Sequence, residues 1–163
     1  MHKAFYASGF LYHLRTQQIL LYQPHPKNNI PSTWSMMSGS GHKKEDAQKA
    51  FQRIIYKLLR IKINPKRTYP VYDCFHDALQ ATRYVLYAEV GSVKNFRSSK
   101  KGTLSWFTFK QTTKLSFSDE TKQDIIVSER VVKAQARSNE PKILSTLGIL
   151  QSTKGAEVAM LQK

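Results

Sequence analysis

The residues of this chain that could do chemistry are concentrated between Gly39 and Arg67. The turn Gly39-Ser40-Gly41 precedes a helical pattern. A glycine turn that opens a helix presents backbone N–H groups to anions. Around it stand Lys43, Lys44, Lys49, Arg53, Lys57, Arg60, Lys62, Lys66 and Arg67, and the only acids in the stretch are Glu45 and Asp46. Such a set suits binding of phosphate. Gly39, Gly41, His42, Lys43, Lys44, Arg53 and Lys57 are the candidate substrate-binding residues. Glu45, at the start of the helical pattern, suits the positive end of the helix dipole as a cap. Arg53 either binds phosphate or is a solvated basic residue, and His42 either assists a phosphate or a water or simply lies on the surface.

A second basic run comprises Lys94, Arg97, Lys100, Lys101, Lys110 and Lys114, with Phe96, Trp106, Phe107 and Phe109 interleaved. Basic side chains mixed with aromatics contact a nucleic-acid backbone and stack on its bases. Phe107 and Phe109 are expected on one strand face, where core packing explains them. Cys74 is the only cysteine, so a Cys-rich zinc site and an intrachain disulfide are excluded. It is expected in the core. His76-Asp77 is expected to be a structural turn, and no G-x-S-x-G nucleophile signature is present.

The chain has 163 residues, of which 40% are hydrophobic, which suits one globular domain. Its 26 basic and 11 acidic residues give a net charge of +15. That balance implies an anionic partner such as nucleic acid, or a generally basic proteome. The longest apolar runs fall short of a membrane span, and the N-terminal stretch does not read as a signal peptide. A cytoplasmic location is the default expectation.

The elements that must position these residues follow from periodicity. Two strand-like runs within Lys3–Gln23, broken at Arg15-Thr16-Gln17-Gln18, predict a hairpin. Pro24–Ser32 predicts a loop, and Trp34–Met37 a short apolar piece. Apolar residues Ala47, Ala50, Phe51, Ile54, Ile55, Leu58 and Leu59 predict a helix over Glu45–Arg60, ended by Asn64-Pro65. Tyr69–Phe75 and Thr82–Val90 predict paired strands, and Thr103–Phe109 a further strand. Ser118 to Arg137 predicts a second helix with Ser118 or Asp119 as its N-cap. This order gives an α+β fold. Residues 1–137 are expected to form the domain, and 138–163 a basic, partly flexible C-terminal extension.

The chain resembles the Nudix hydrolase family from Lys3 to Arg137. The opening hairpin AFYASGFLYHLRTQQILLYQ, the segment Trp34-Ser35-Met36-Met37-Ser38-Gly39 and the frame Gly39-x5-Glu45-x7-Arg53 occur in the family's order. The family's box reads G-x5-E-x7-R-E-U-x-E-E-x-G-U, where U is a bulky aliphatic residue. The resemblance implies an α/β/α sandwich with a mixed sheet between helices. It also implies descent from hydrolysis of diphosphates linked to another moiety, with helix glutamates binding magnesium or manganese and with Glu45 as a relic catalytic ligand if it is not simply the helix cap.

This sequence departs from the box where those glutamates belong. Glutamates three and four residues apart share a helix face and can converge on one ion, and hard divalent cations need several oxygens. The corresponding positions hold Ile54, Lys57 and Leu58. The expectation is therefore a degenerate box that binds a nucleoside phosphate or RNA with no cofactor. The alternatives are a divergent hydrolase whose magnesium or manganese ligands are Glu45, His42, Glu89 or Glu120, and a basic interaction module docking to a larger protein assembly.

Overall fold

A computed structural model describes residues 4–94, 96 and 102–138. Contacts divide the chain into two compact units, Met1–Ile126 and Val127–Lys163. The first unit is built on a six-stranded mixed sheet. Strands β1 (Phe5–His13), β2 (Gln18–Pro24) and β3 (Met37–Ser40) are followed by helix α1 (Ala47–Leu59). Strands β4 (Thr68–His76), β5 (Ala81–Val90) and β6 (Gly102–Thr108) follow, and a four-residue helix α2 (Phe109–Thr112) continues directly from β6. A helix, α3, spans 119–138. Its residues 127–138 are the described part of the second unit, and the C-terminal extension expected from 138 onward lies outside the described residues after Ser138. Among the described residues no helix is long and apolar enough to cross a membrane.

β1 organises the sheet. Along one edge it pairs in parallel with β5 over its whole length, from Phe5↔Thr82 to His13↔Val90. Its other edge is shared: β3 pairs antiparallel with Tyr6–Gly9, and β2 with Leu11–His13. β4 and β6 close the two ends through antiparallel pairing with β5 and β2. Side chains alternate along a strand, so Phe5, Ala7 and Leu11 face α1. They form one core with Leu20, Met37, Ala50, Phe51, Ile54, Ile55, Leu59 and Leu86. Gly9 belongs to the same face. A Cβ there would lie 2.1 Å from the Leu86 carbonyl oxygen and 2.9 Å from the Phe51 ring, so the helix and the parallel partner leave room only for glycine.

The opposite face carries Phe10 and Tyr87, stacked with ring centres 5.8 Å apart, and Phe109 edge-on to Phe10 at 6.3 Å. Phe109 therefore does not lie on a strand beside Phe107 as the alternation suggested. Thr108 caps α2, its side chain accepting from the Gln111 N–H while the Gln111 side chain accepts from Thr108 N–H, and this capping box turns the chain out of the sheet. The first turns of α3 are held to the same face by charge. Ser118 caps them, accepting from the Thr121 N–H. Arg83 then donates to Asp124 at 2.5 and 3.1 Å and pairs with Glu120 at 2.9 Å, while the Tyr72 hydroxyl also donates to Asp124. Cys74 is half-buried beside this cluster, 3.8 Å from Arg83, and is not in the core. His76 caps the turn Asp77–Leu79 as a structural residue and lies 3.5 Å from Glu120.

α1 starts and stops differently from its sequence pattern. Asp46 is the N-cap, accepting from the Lys49 N–H at 2.7 Å, and Glu45 lies outside the helix. Arg60, in the left-handed region at φ 58°, ends it, with its N–H bonded to the Tyr56 carbonyl. Asn64-Pro65 instead begins the short turn Pro65–Arg67, where the Asn64 side chain accepts from the Lys66 N–H.

Candidate functional site

The loop from Ser40 to Asp46 joins β3 to α1, and three of its backbone donors are used within the fold. Gly41 N–H donates to the Phe5 carbonyl at 2.8 Å, His42 N–H to Glu45 Oε2 at 2.9 Å, and Glu45 N–H to the His42 carbonyl at 3.2 Å. Lys44 takes the left-handed conformation at φ 66°. With Asp46 also accepting from Lys49 N–H, the Gly41, His42, Glu45 and Lys49 N–H groups are engaged within the protein. The loop glycines serve close packing and not a positive φ. A Cβ on Gly41 would fall 2.0 Å from the Phe5 ring, and one on Gly39 would meet Ile54 at 3.1 Å. Gly39 is a strand residue, paired with Ala7.

Glu45 and Arg53 are bound to each other. Arg53 Nε donates to Glu45 Oε1 at 2.7 Å and a terminal guanidinium nitrogen donates to Oε2 at 2.9 Å, while that nitrogen also reaches the Ser40 carbonyl at 2.7 Å. Hydrogen bonding from Arg53 holds the Glu45 carboxyl down at about 2. The same bond raises Arg53. Glu45 is thus neither the helix cap nor an open ligand. Its carboxylate fastens the loop to the middle of the helix.

Beside this pair is a cleft of about 470 Å³ between α1 and the backbone of 35–40. His42, Arg53, Ile54, Lys57 and Leu58 line it together with Tyr22 and Gly39. Of the residues nominated from sequence, Gly39, His42, Arg53 and Lys57 meet here. Lys43 and Lys44 are exposed on the loop and do not line the cleft, nor does Gly41. Glu45 lines a separate groove with Asp46 and Asp73. Among the described residues no carboxylate borders the cleft.

Sequence reasoning did not foresee a second cavity, of about 290 Å³, that shares Ser35, Met36 and Ser38 with the cleft. Its remaining lining is Tyr6, Ser8, Leu79, Arg83, Glu120, Thr121 and Asp124. Arg83 and Asp124 are 41 residues apart in sequence, so no local pattern signals their meeting. Asp124 is 2% exposed, and Arg83 neutralises it. Burial, reinforced by Asp124, raises the Tyr72 hydroxyl to about 12.

No family model matches the sequence, and no curated protein matches it. Solved structures do. A mutT/nudix family protein from Listeria innocua superposes with a TM-score of 0.63 at 13% identity, over 83% of this chain and 97% of that one. The Nudix domain of Shewanella oneidensis NrtR, complexed with ADP ribose, gives 0.60 at 12% identity over 81% and 90%. A C. elegans Ap4A hydrolase binary complex gives 0.59 at 15% identity over 79% and 98%. The chain has the Nudix fold.

Its box helix can now be tested against the cation that Nudix hydrolysis uses. Ile54 is buried in the core, Leu58 packs partly against it, and Lys57 carries a positive charge into the cleft. The carboxylates considered as substitutes are dispersed: Glu45 is held by Arg53, Glu89 by Arg67 at 3.1 Å, and Glu120 by Arg83. Among the described residues no three His, Cys, Asp or Glu side chains are grouped to hold an ion. This donor set does not fit the magnesium or manganese centre of the Nudix fold.

Proposed function

We propose that this Nudix-fold protein binds a nucleoside phosphate in the cleft beside α1, without metal and without hydrolysing it. The observation that carries the reading is the charge of the cleft. Lys57 stands where a metal-binding glutamate is expected and supplies the charge, Arg53 borders the same space with its own charge matched by Glu45, and among the described residues no carboxylate lines it. A unit charge at 4 Å contributes between about 1 kcal/mol in water and about 4 kcal/mol near a protein surface. That interaction attracts each negative charge of a phosphate by about this amount and repels a divalent cation from Lys57 by about twice as much. The cleft also falls within the size range of small-molecule sites.

The adjoining cavity supports the nucleoside part of this reading. Phosphate in the cleft leaves the rest of the ligand against Ser35, Met36 and Ser38 and next to Tyr6 and Ser8. That side is polar but not cationic, because Arg83 is already matched by Asp124 and Glu120. Two structural neighbours were solved with ADP ribose or are named for Ap4A hydrolysis, which agrees with a nucleotide as the ligand class.

The test is titration with ADP and ADP-ribose, in magnesium and again in EDTA, alongside an assay for released phosphate products. Binding that is the same in both buffers, with no product, is expected. Binding lost in EDTA, or turnover in magnesium, overturns the proposal.

A further inference from the structure

The two basic stretches of the sequence come together at a place other than the box cleft. A separate cavity of about 290 Å³ is lined by Lys62 and Arg67 from the first stretch and by Lys94, Phe96 and Trp106 from the second. Trp106 lies on the β6 face that packs against the core, opposite Leu20, and its indole N–H donates to the Lys94 carbonyl at 3.0 Å. This bond holds the Lys94 backbone at the edge of the ring. Glu89 also lines the cavity but pairs with Arg67 at 3.1 Å. Lys62 and Lys94, both exposed, supply the remaining positive charge.

We propose that this cavity seats one base of a single-stranded nucleic acid, with Lys62 and Lys94 meeting the phosphates on either side. Aromatic rings stack any base, and flanking cations follow the backbone, which is the composition of sequence-tolerant single-strand sites. The volume lies just below the range of drug-sized ligand cavities, which suits one base and not two stacked ones. The net charge of +15 selects a polyanion over a single nucleotide, because each additional phosphate contact releases counterions. This site is independent of the nucleoside phosphate cleft, from which it shares no lining residue.

The experiment uses the full chain and a fluorescein-labelled uridylate decamer, followed by anisotropy over a salt series. Lys62→Glu with Lys94→Glu is expected to weaken binding at least tenfold. It should also lower the slope of log affinity against log salt by about 1.4, the value for two phosphate contacts on a single strand. Lys110→Glu with Lys114→Glu, the same change of charge at exposed residues outside both cavities, is expected to weaken decamer binding far less than the Lys62 and Lys94 pair. In a Trp34→Phe background, where Trp106 is the remaining tryptophan, the decamer should quench emission. The proposal is overturned if the decamer does not bind, or if it binds without the Lys62 and Lys94 dependence. It is equally overturned if Trp106 emission is unmoved, or if uridine monophosphate competes as well as the decamer per nucleotide.

Discussion

Glu45 and Arg53, eight residues apart, meet through two parallel hydrogen bonds of 2.7 and 2.9 Å, and the same guanidinium holds the Ser40 carbonyl. In the frame Gly39-x5-Glu45-x7-Arg53 the two charged members shape the loop, and Ile54, Lys57 and Leu58 follow them along the helix.

The pair makes a signed pH prediction. The Glu45 carboxyl titrates at about 2 when folded, below its ordinary 4.5. A carboxyl depressed on folding stabilises the fold above its unfolded value, and that contribution disappears as pH falls through the folded value. Glu45→Gln should therefore lower the urea midpoint at pH 7 by an amount equal to about 1 kcal/mol, the upper part of the range for partly exposed pairs, since the contact is two-pronged. The difference between the variant and the parent should shrink between pH 4.5 and 2. A gap that stays constant across that window would mean the pair carries no such stability.

Ile54→Glu should not create a cation site. The side chain is buried and touches Gly39, so a carboxylate there is desolvated beside Lys57 without two further oxygen ligands. A loss of about 3 kcal/mol is expected, comparable to removal of a large core side chain. Chemical denaturation with and without 10 mM magnesium, on the order of a saturating concentration for weak sites, reads the result. Rescue by magnesium would refute the account of the helix.

Lys57→Glu reverses the one exposed helix charge that faces the cleft. ADP affinity should fall at least tenfold, while the thermal midpoint changes by no more than about 2 °C, as for other exposed positions. Calorimetry and thermal unfolding on the same preparation separate the two effects. Unchanged affinity would place the ligand elsewhere.

Asp124→Asn should be more damaging than Glu45→Gln. It leaves the nearly buried Arg83 guanidinium short of its closest counter-charge, a loss of about 3–5 kcal/mol for a broken buried pair. Replacing both partners, as Arg83→Met with Asp124→Leu, should recover most of it, which a double-mutant cycle measures directly.

Gly9→Ala should cost about 3 kcal/mol, since its methyl would overlap the Leu86 carbonyl and press on Phe51. Denaturant unfolding reads this. A neutral result would mean that α1 can move away from β1 at no cost.

The fold was largely legible because its signals are local. The hairpin, the stripe on α1 and the β4–β5 pairing each occupy a continuous run of sequence with one period. The misreadings are places where a single residue outweighed the run. Asp46 took the cap that Glu45 was expected to supply, because Glu45 had a stronger partner in Arg53. Arg60 ended α1 in a left-handed conformation that no glycine announced. Thr108 turned Phe109 out of an alternating aromatic strand. For the site, spacing along one helix brought Arg53 and Lys57 together, but spacing cannot reveal that three of the loop's N–H groups are spent or that Arg83 meets Asp124 across the fold.

Ile54 now belongs to the core, wedged against Gly39, and this gives the chain a direction of change. A route from here to a cation-holding helix needs several acids at once, because the first would be a stranded charge with nothing to bind. Each single acid introduced there is thus disfavoured before any ion can bind. The apolar side chain acts as a latch, and under selection for stability alone it holds this part of the helix to its present composition.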